Sequence, residues 1–236
     1  MKRRLFLLTA AFGFVLGVCS APRANSQNPP ARFDHKVRND VFAGYAGNAE
    51  AMARGAAVLE AVLKDNPNHA EAMAWLGSVK VFEAGQLFRK GGSQNGMALW
   101  NEGLALMNRA VSLAPDHIGV RIPRGATLAA ATPNMPPDFA RPLVELAYGD
   151  YAKAYELQKD RLDRLSEHSR GELYLGLADL SERSGQDWRV WARRAAEELP
   201  KESPYARRAA AWLENGDLRP GARTCLGCHA GPQEAQ

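Results

Sequence analysis

Cysteine is scarce in this chain: Cys19, Cys225 and Cys228 are the three among 236 residues. Three thiols cannot build the disulfide framework of a small secreted scaffold. The N-terminal apolar run, Leu5 to Val18, has 14 residues, fewer than the roughly 20 a helix needs to cross a bilayer. No alternating run of β-branched residues is long enough for a sheet. No Ser/His/Asp set, phosphate-cradling glycine loop or carboxylate pair stands out, so the sequence offers nothing on which to rest an enzyme assignment.

An excess of charge of one sign is lacking as well, once the leader is recognised. Lys2-Arg3-Arg4 precedes the apolar run, and small and turn-forming residues follow from Ser20 to Pro30. That order is a secretory signal peptide. Ala24-Asn25-Ser26 places cleavage before Gln27, with Ser20 and Ala24 as competing sites. Cys19 stands where a bacterial lipoprotein carries its acylated cysteine, but that signal calls for a small residue just before it and Val18 is there. The full chain has 30 basic and 26 acidic residues, and residues 1–26 hold Lys2, Arg3, Arg4 and Arg23 without an acid. The mature chain is therefore near neutral, which removes nucleic acid as an expected partner. No transmembrane segment is expected in it, and its compartment is expected to be the periplasm or another exported space.

What is present begins near the other end. Cys225-Leu226-Gly227-Cys228-His229 has the C-x-x-C-H spacing of c-type haem attachment. Two intervening residues form about one turn, so both thiols face one side and reach the two vinyl groups of one porphyrin. The next residue then points its imidazole at the iron. Cys225 and Cys228 are thus the candidate cofactor-binding residues, His229 the candidate iron ligand, and one covalent haem c the expected cofactor. Export supports this, because bacterial haem c attachment takes place outside the cytoplasmic membrane. A zinc site at the same sulfurs would need a fourth ligand from the rest of the chain. A redox dithiol would ordinarily sit in a thioredoxin-like α/β unit, for which there is no pattern.

Between leader and motif the composition is helical. Alanine, leucine, glutamate and arginine dominate, with apolar residues at spacings of three and four. About nine helices are expected, near 36–45, 48–65, 69–89, 95–114, 118–131, 138–164, 169–184, 187–199 and 204–214, with Gly149-Asp150 as a candidate break in the sixth. Ala61 to His69 and Arg109 to His117 repeat one pattern: a helix ends at proline, and the next starts with Asn or Asp followed by His. Ala195 to Pro200 repeats the alanine-to-proline interval. Leu76-Gly77 and Leu175-Gly176 lie upstream of these prolines.

These features resemble the tetratricopeptide repeat over roughly residues 47–214. The resemblance implies an all-α stack of helical hairpins, with the Leu-Gly positions at close helix crossings. The interval from Leu175 to Ala195 is 20 residues, as in the family; from Leu76 to Ala110 it is 34, an insertion of 14 around Gly85 to Gly96. The aromatic positions of the family are poorly kept, and the prolines from Pro123 to Pro142 depart from its pattern. The expected organisation is a signal peptide (1–26), a spacer (27–35), a tetratricopeptide-like domain (36–214) and a haem-binding tail (215–236).

After His229 only seven residues remain, none of them Met, His or Lys, so a second axial ligand would come from the helical body. Met135, in Thr132-Pro133-Asn134-Met135-Pro136-Pro137, resembles the Met-Pro segment of small c-type cytochromes, although here it precedes the motif. His69 and His117 read as capping residues of equivalent turns, and His35 and His168 as surface turn residues. Arg189, Arg193, Arg194, Lys201, Arg207, Arg208, Arg219 and Arg223, against five acids, give residues 188–223 a net +3. That excess could steer an acidic partner or pair with propionates, but it also fits an ordinary solvated helix face. Arg121-Ile122-Pro123-Arg124-Gly125 could hold a carboxylate, and surface salt bridges explain it equally well.

The function these features lead us to expect is electron transfer by an exported haem c protein, whose haem accepts or passes single electrons on a tetratricopeptide-like scaffold that docks a protein partner. The partner is expected to be a redox protein or a peptide. The chain also resembles exported bacterial tetratricopeptide proteins that end in such a motif. A scaffold without a redox role is the alternative, and a five-coordinate haem enzyme or gas sensor would need a distal acid/base pair that has no recognisable spacing here.

Overall fold

Caps and prolines divide the chain at the intervals the helical reading requires. Asn48, His69, Ser166 and Ser203 each accept a hydrogen bond from a backbone N–H in the first turn that follows, at 3.0–3.2 Å. Pro137 and Pro204 each open a helix, where a missing N–H costs nothing. The structure, a computed structural model, describes residues 32–216. Among them are nine α-helices: α1 (Arg38–Tyr45), α2 (Ala49–Asp65), α3 (Ala70–Arg89), α4 (Ser93–Leu113), α5 (Ile118–Ala131), α6 (Pro137–Glu156), α7 (Glu167–Arg183), α8 (Arg189–Glu198) and α9 (Pro204–Asn215). Short 3₁₀ segments, Phe33–Lys36 and Lys159–Arg164, precede α1 and link α6 to α7. The described residues contain no strand. The fold class is all-α.

The sixth helix departs from its expected form. It does not break at Gly149-Asp150 but runs unbroken through both residues and stops at Glu156. The stretch to 164 is 3₁₀ rather than a continuation, with Arg161 at non-helical φ/ψ. Asp150 is fully buried and ion-paired, which holds the helix together at the expected break. Nothing in the local sequence after Glu156 marks the stop. Leu162, in the 3₁₀ segment that follows, packs into the core. The 14 extra residues between Leu76 and Ala110 form no loop: they lengthen α3 and α4, which are separated only by residues 90–92.

Contacts at helix ends fix the directions. Near the starts, His117 Nε2 beside α5 lies 3.8 Å from Glu71 Oε1 in α3, and His168 Nδ1 of α7 lies 2.5 Å from the Tyr205 hydroxyl of α9. Near the ends, the Arg183 guanidinium of α7 donates to the Ala129 carbonyl at 2.9 Å and to the Thr132 hydroxyl, where α5 ends. Trp188, just after α7, stacks on Trp212 of α9 with centroids 4.6 Å apart. Phe33 meets His69 and Tyr45 meets Phe82, so α1 runs parallel to α3. The odd-numbered helices therefore all point one way, and the even-numbered helices return.

The odd-numbered helices also form the inner row. α3 touches α5, α5 touches α7 and α7 touches α9. No residue of α5 is exposed, nor any from Glu71 to Leu87 in α3 or from Gly171 to Ser184 in α7. Exposed faces belong to α2, α4, α6 and α8, and to α9 at the end of the row. Hydroxyls cross the inner row: Tyr45 Oη lies 2.8 Å from Ser78 Oγ, which in turn meets Thr127 Oγ1. Burial pushes the Tyr45 phenol well above its ordinary pKa, against the opposing Ser78 hydrogen bond.

Two edges result. The inner helices start at an entry edge, whose turns include residues 66–69, 114–117 and 199–203. They finish at an exit edge, whose turns are residues 46–48, 90–92, 132–136 and 184–188, with Gly216 at the end of α9. Gly47, Gly91, Gly185 and Gly216, the positive-φ residues among those described, all lie on the exit edge. They are left-handed caps that end an inner helix. The turn at 132–136 is the exception, built from prolines.

Candidate haem attachment site and its surroundings

Cys225, Cys228 and His229 lie outside the described residues, as do Cys19 and the rest of the expected signal peptide. Their donor set fits a covalent haem: two thiols at the attachment spacing and an imidazole directly after them. What the structure gives is the place from which the motif departs. α9 begins at the Ser203 cap and is pinned to α7 by the Tyr205–His168 contact. Its Trp212 is buried to 1% exposure against Trp188. The helix ends at Gly216 (φ 72°) on the exit edge. Nine positions further on stands Cys225, a reach of at most about 30 Å of extended chain.

The edges separate the ligand candidates. His69 and His117 are entry-edge residues, and His168 is in the first turn of α7. His35 is exposed in the 3₁₀ segment whose Phe33 ring packs 4.4 Å from the His69 ring. All four histidines thus lie a helix length from Gly216. α7, with 17 residues, is about 25 Å long. Met135 is on the exit edge, half-buried, with its N–H donating to the Thr132 carbonyl at 3.1 Å. The loop that carries it is anchored at Thr132, which is 2% exposed and donates to the Leu128 carbonyl at 2.8 Å.

The capping roles of the two repeat-turn histidines diverge. His69 Nδ1 accepts from the Ala72 N–H at 3.2 Å and caps α3. His117 makes no side-chain cap and faces Glu71 across the edge instead. His168 is not a free surface residue; it meets Tyr205.

Neither basic segment is an open anion site as a whole. The Arg124 guanidinium, 5% exposed, donates from Nε to Asp150 Oδ2 at 2.7 Å and from Nη2 to Oδ1 at 2.8 Å. Arg121 adds a bond to Asp150 at 2.9 Å and another to the Pro115 carbonyl at 2.8 Å, and Arg124 reaches Asn108 at 2.9 Å. The carboxylate that this segment can hold is internal. Sequence reasoning missed it because Asp150, 26 positions beyond Arg124, stood out only as half of a Gly-Asp break signal. In the later cluster, Arg194 pairs with Glu198 at 2.7 Å and lies over the rings of Tyr155, Tyr174 and Trp191. Arg189, Arg193, Lys201 and Arg207 are exposed, and Arg219 and Arg223 lie outside the described residues.

No three His, Cys, Asp or Glu side chains gather among the described residues as a metal group would need. No described helix is long and apolar enough to cross a membrane. Comparison of the chain with protein-family models, with curated proteins and with solved structures gives no match.

Proposed function

We propose that the chain is an exported haem c protein in which a helical-hairpin stack of tetratricopeptide type carries one porphyrin on its C-terminal segment. The observation that carries this is the C-x-x-C-H spacing of Cys225, Cys228 and His229, in a chain whose third cysteine lies in the leader. The thiols of Cys225 and Cys228 would each add S–H across a vinyl group, and His229 would hold the iron from one face. Bound there, the group supplies a one-electron ferric/ferrous couple. The chain's own part is to hold, shield and present it. We assign no catalytic role.

The layering supports the scaffold half of the proposal. Parallel inner helices in contact with one another, with returning helices outside, are the arrangement of stacked hairpins, and such stacks dock proteins or peptides along an extended surface. The exposed basic residues near α8 and α9 suit an acidic redox partner.

The test is expression with the leader in a host competent for cytochrome c maturation, followed by haem staining of a denaturing gel. The wild type should stain, and Cys225→Ala with Cys228→Ala should not. An unstained wild type overturns the haem proposal and leaves the scaffold alone.

A further inference from the structure

We propose that the exit edge, around the 132–136 and 184–188 turns, is the docking surface for the chain's own residues 217–236. The identity of the covered group as haem, and the need to bury it, rest on the reading above; the grounds from exposed side chains and from the path of the chain do not.

The first ground is where apolar surface is left. Phe139 is 70% exposed, Val190 49%, Met97 51% and Phe88 37%. All four sit at the exit edge: Phe139 in the first turn of α6, Val190 at the start of α8, and Phe88 and Met97 flanking the α3–α4 turn. Of the remaining large apolar side chains left exposed, Leu113 is near the entry edge and Val58 is mid-way along α2. Single exposed apolar residues are ordinary, but a group on one edge calls for a cover.

The second ground is where the chain goes. α9 ends on this edge at Gly216, with 20 residues still to follow. Adjacent inner helices lie about 10 Å apart, so Met135 and Phe139 at α5–α6 are about 20 Å from α9. That is inside the reach of the nine positions to Cys225. One turn before the exit, the buried indole N–H of Trp212 has no acceptor among the described residues. A carbonyl of the departing segment would supply one.

The third ground is what the segment lacks. Residues 217–236 contain Leu218 and Leu226 as their only large aliphatic side chains and no aromatic. Residues so poor in large apolar side chains cannot bury a porphyrin by themselves. The edge offers a stiff support. Pro133, Pro136 and Pro137 fix the backbone around Met135, and Thr132 is tied to Arg183. The glycine-capped turns at 90–92 and 184–188 contain no proline.

The experiment uses the full chain, expressed with its leader, with the photo-reactive residue p-benzoylphenylalanine in place of Phe139, and in a second protein in place of Val190. Leu113, 46% exposed near the other edge, is the control position. After irradiation, cross-linked peptides are mapped by mass spectrometry and circular dichroism verifies the helices. Positions 139 and 190 should cross-link within one chain to residues 217–236, and position 113 should not. Cross-links joining two copies would assign the edge to self-association and overturn the proposal. Absence of any link to 217–236 from both positions, or equal links from 113, would overturn it as well. Repeating the measurement with Cys225→Ala and Cys228→Ala separates the two claims. Haem staining decides the cofactor, and cross-linking decides the docking.

Discussion

The α3/α4 hairpin and the α5/α6 hairpin solve the same packing problem by different chemistry. α3 and α4 cross at bare backbone: a Cβ on Gly77 would lie 2.6 Å from the Gly103 carbonyl oxygen, and one on Gly103 would lie 2.7 Å from that of Gly77. Apolar Met107 and Val81 fill the space beside them. α5 and α6 are instead joined through a fully buried Asp150 gripped by Arg121 and Arg124. Their turns differ as well, with Gly91 at φ 80° in one and prolines in the other. The α3/α4 hairpin needs the absence of side chains; the α5/α6 hairpin needs one carboxylate and two guanidiniums. Close approach is intolerant of added volume, whereas a buried ion pair is intolerant of losing one partner.

The largest effect should come from breaking the pair. Asp150→Ala leaves Arg124 buried without its carboxylate and should cost about 3–5 kcal/mol in chemical denaturation. Arg124→Met with Asp150→Leu should cost much less, because only the less buried Arg121, which keeps its bond to the Pro115 carbonyl, then loses its carboxylate. If the single and double variants lose equally, Asp150 acts through shape and the contrast between the hairpins fails. Next comes volume. Gly77→Ala should destabilise by about 1–3 kcal/mol through overpacking. Gly85→Ala in the same helix should be neutral or stabilising by up to about 1 kcal/mol, since it meets nothing closer than the Arg89 guanidinium at 3.6 Å. Equal losses at both glycines would show that helix composition matters rather than the crossing.

The smallest effect concerns acid. Desolvation opposes the charge on Glu198, but hydrogen bonds from Arg194 and Tyr174 outweigh it and hold the carboxyl below its ordinary pKa. A depressed folded pKa contributes stability that is present above the unfolded value, near 4.3, and is lost as pH falls through the folded one. The side chain is 39% exposed, so solvent screening keeps the contribution small. Glu198→Gln should slightly lower the melting temperature near neutrality, converge on the wild type in acid, and so slightly flatten the acid limb of a thermal-unfolding profile below about pH 4.3. A steeper acid limb in the variant would reverse the assigned sign.

The contrast also shows which features could be read before folding. Gly77 was legible as a close-approach position, because a glycine after leucine at that place in a helical repeat has a packing reason. Gly176 carries the same local signal but meets a different partner. A Cβ there would fall 2.2 Å from the Tyr151 ring of the preceding helix α6. His69 was legible as a cap from its place at the turn, and His117, in the matching place, is not one. The Asp150 pairing was illegible, because a Gly-Asp dipeptide signals a break locally and only a distant pair of arginines reverses it.

By itself, the sequence determined the helices and their turns, through prolines, caps and apolar spacing that act over a few residues. It also placed the two thiols and the imidazole whose order proposes the porphyrin, since that chemistry depends on adjacent positions. Tertiary structure alone decided which charges meet inside, where α6 stops, and that Met135 and Gly216 share one edge while His35, His69, His117 and His168 lie toward the other. Those outcomes depend on helix direction and on contacts between residues tens of positions apart, which no local pattern carries.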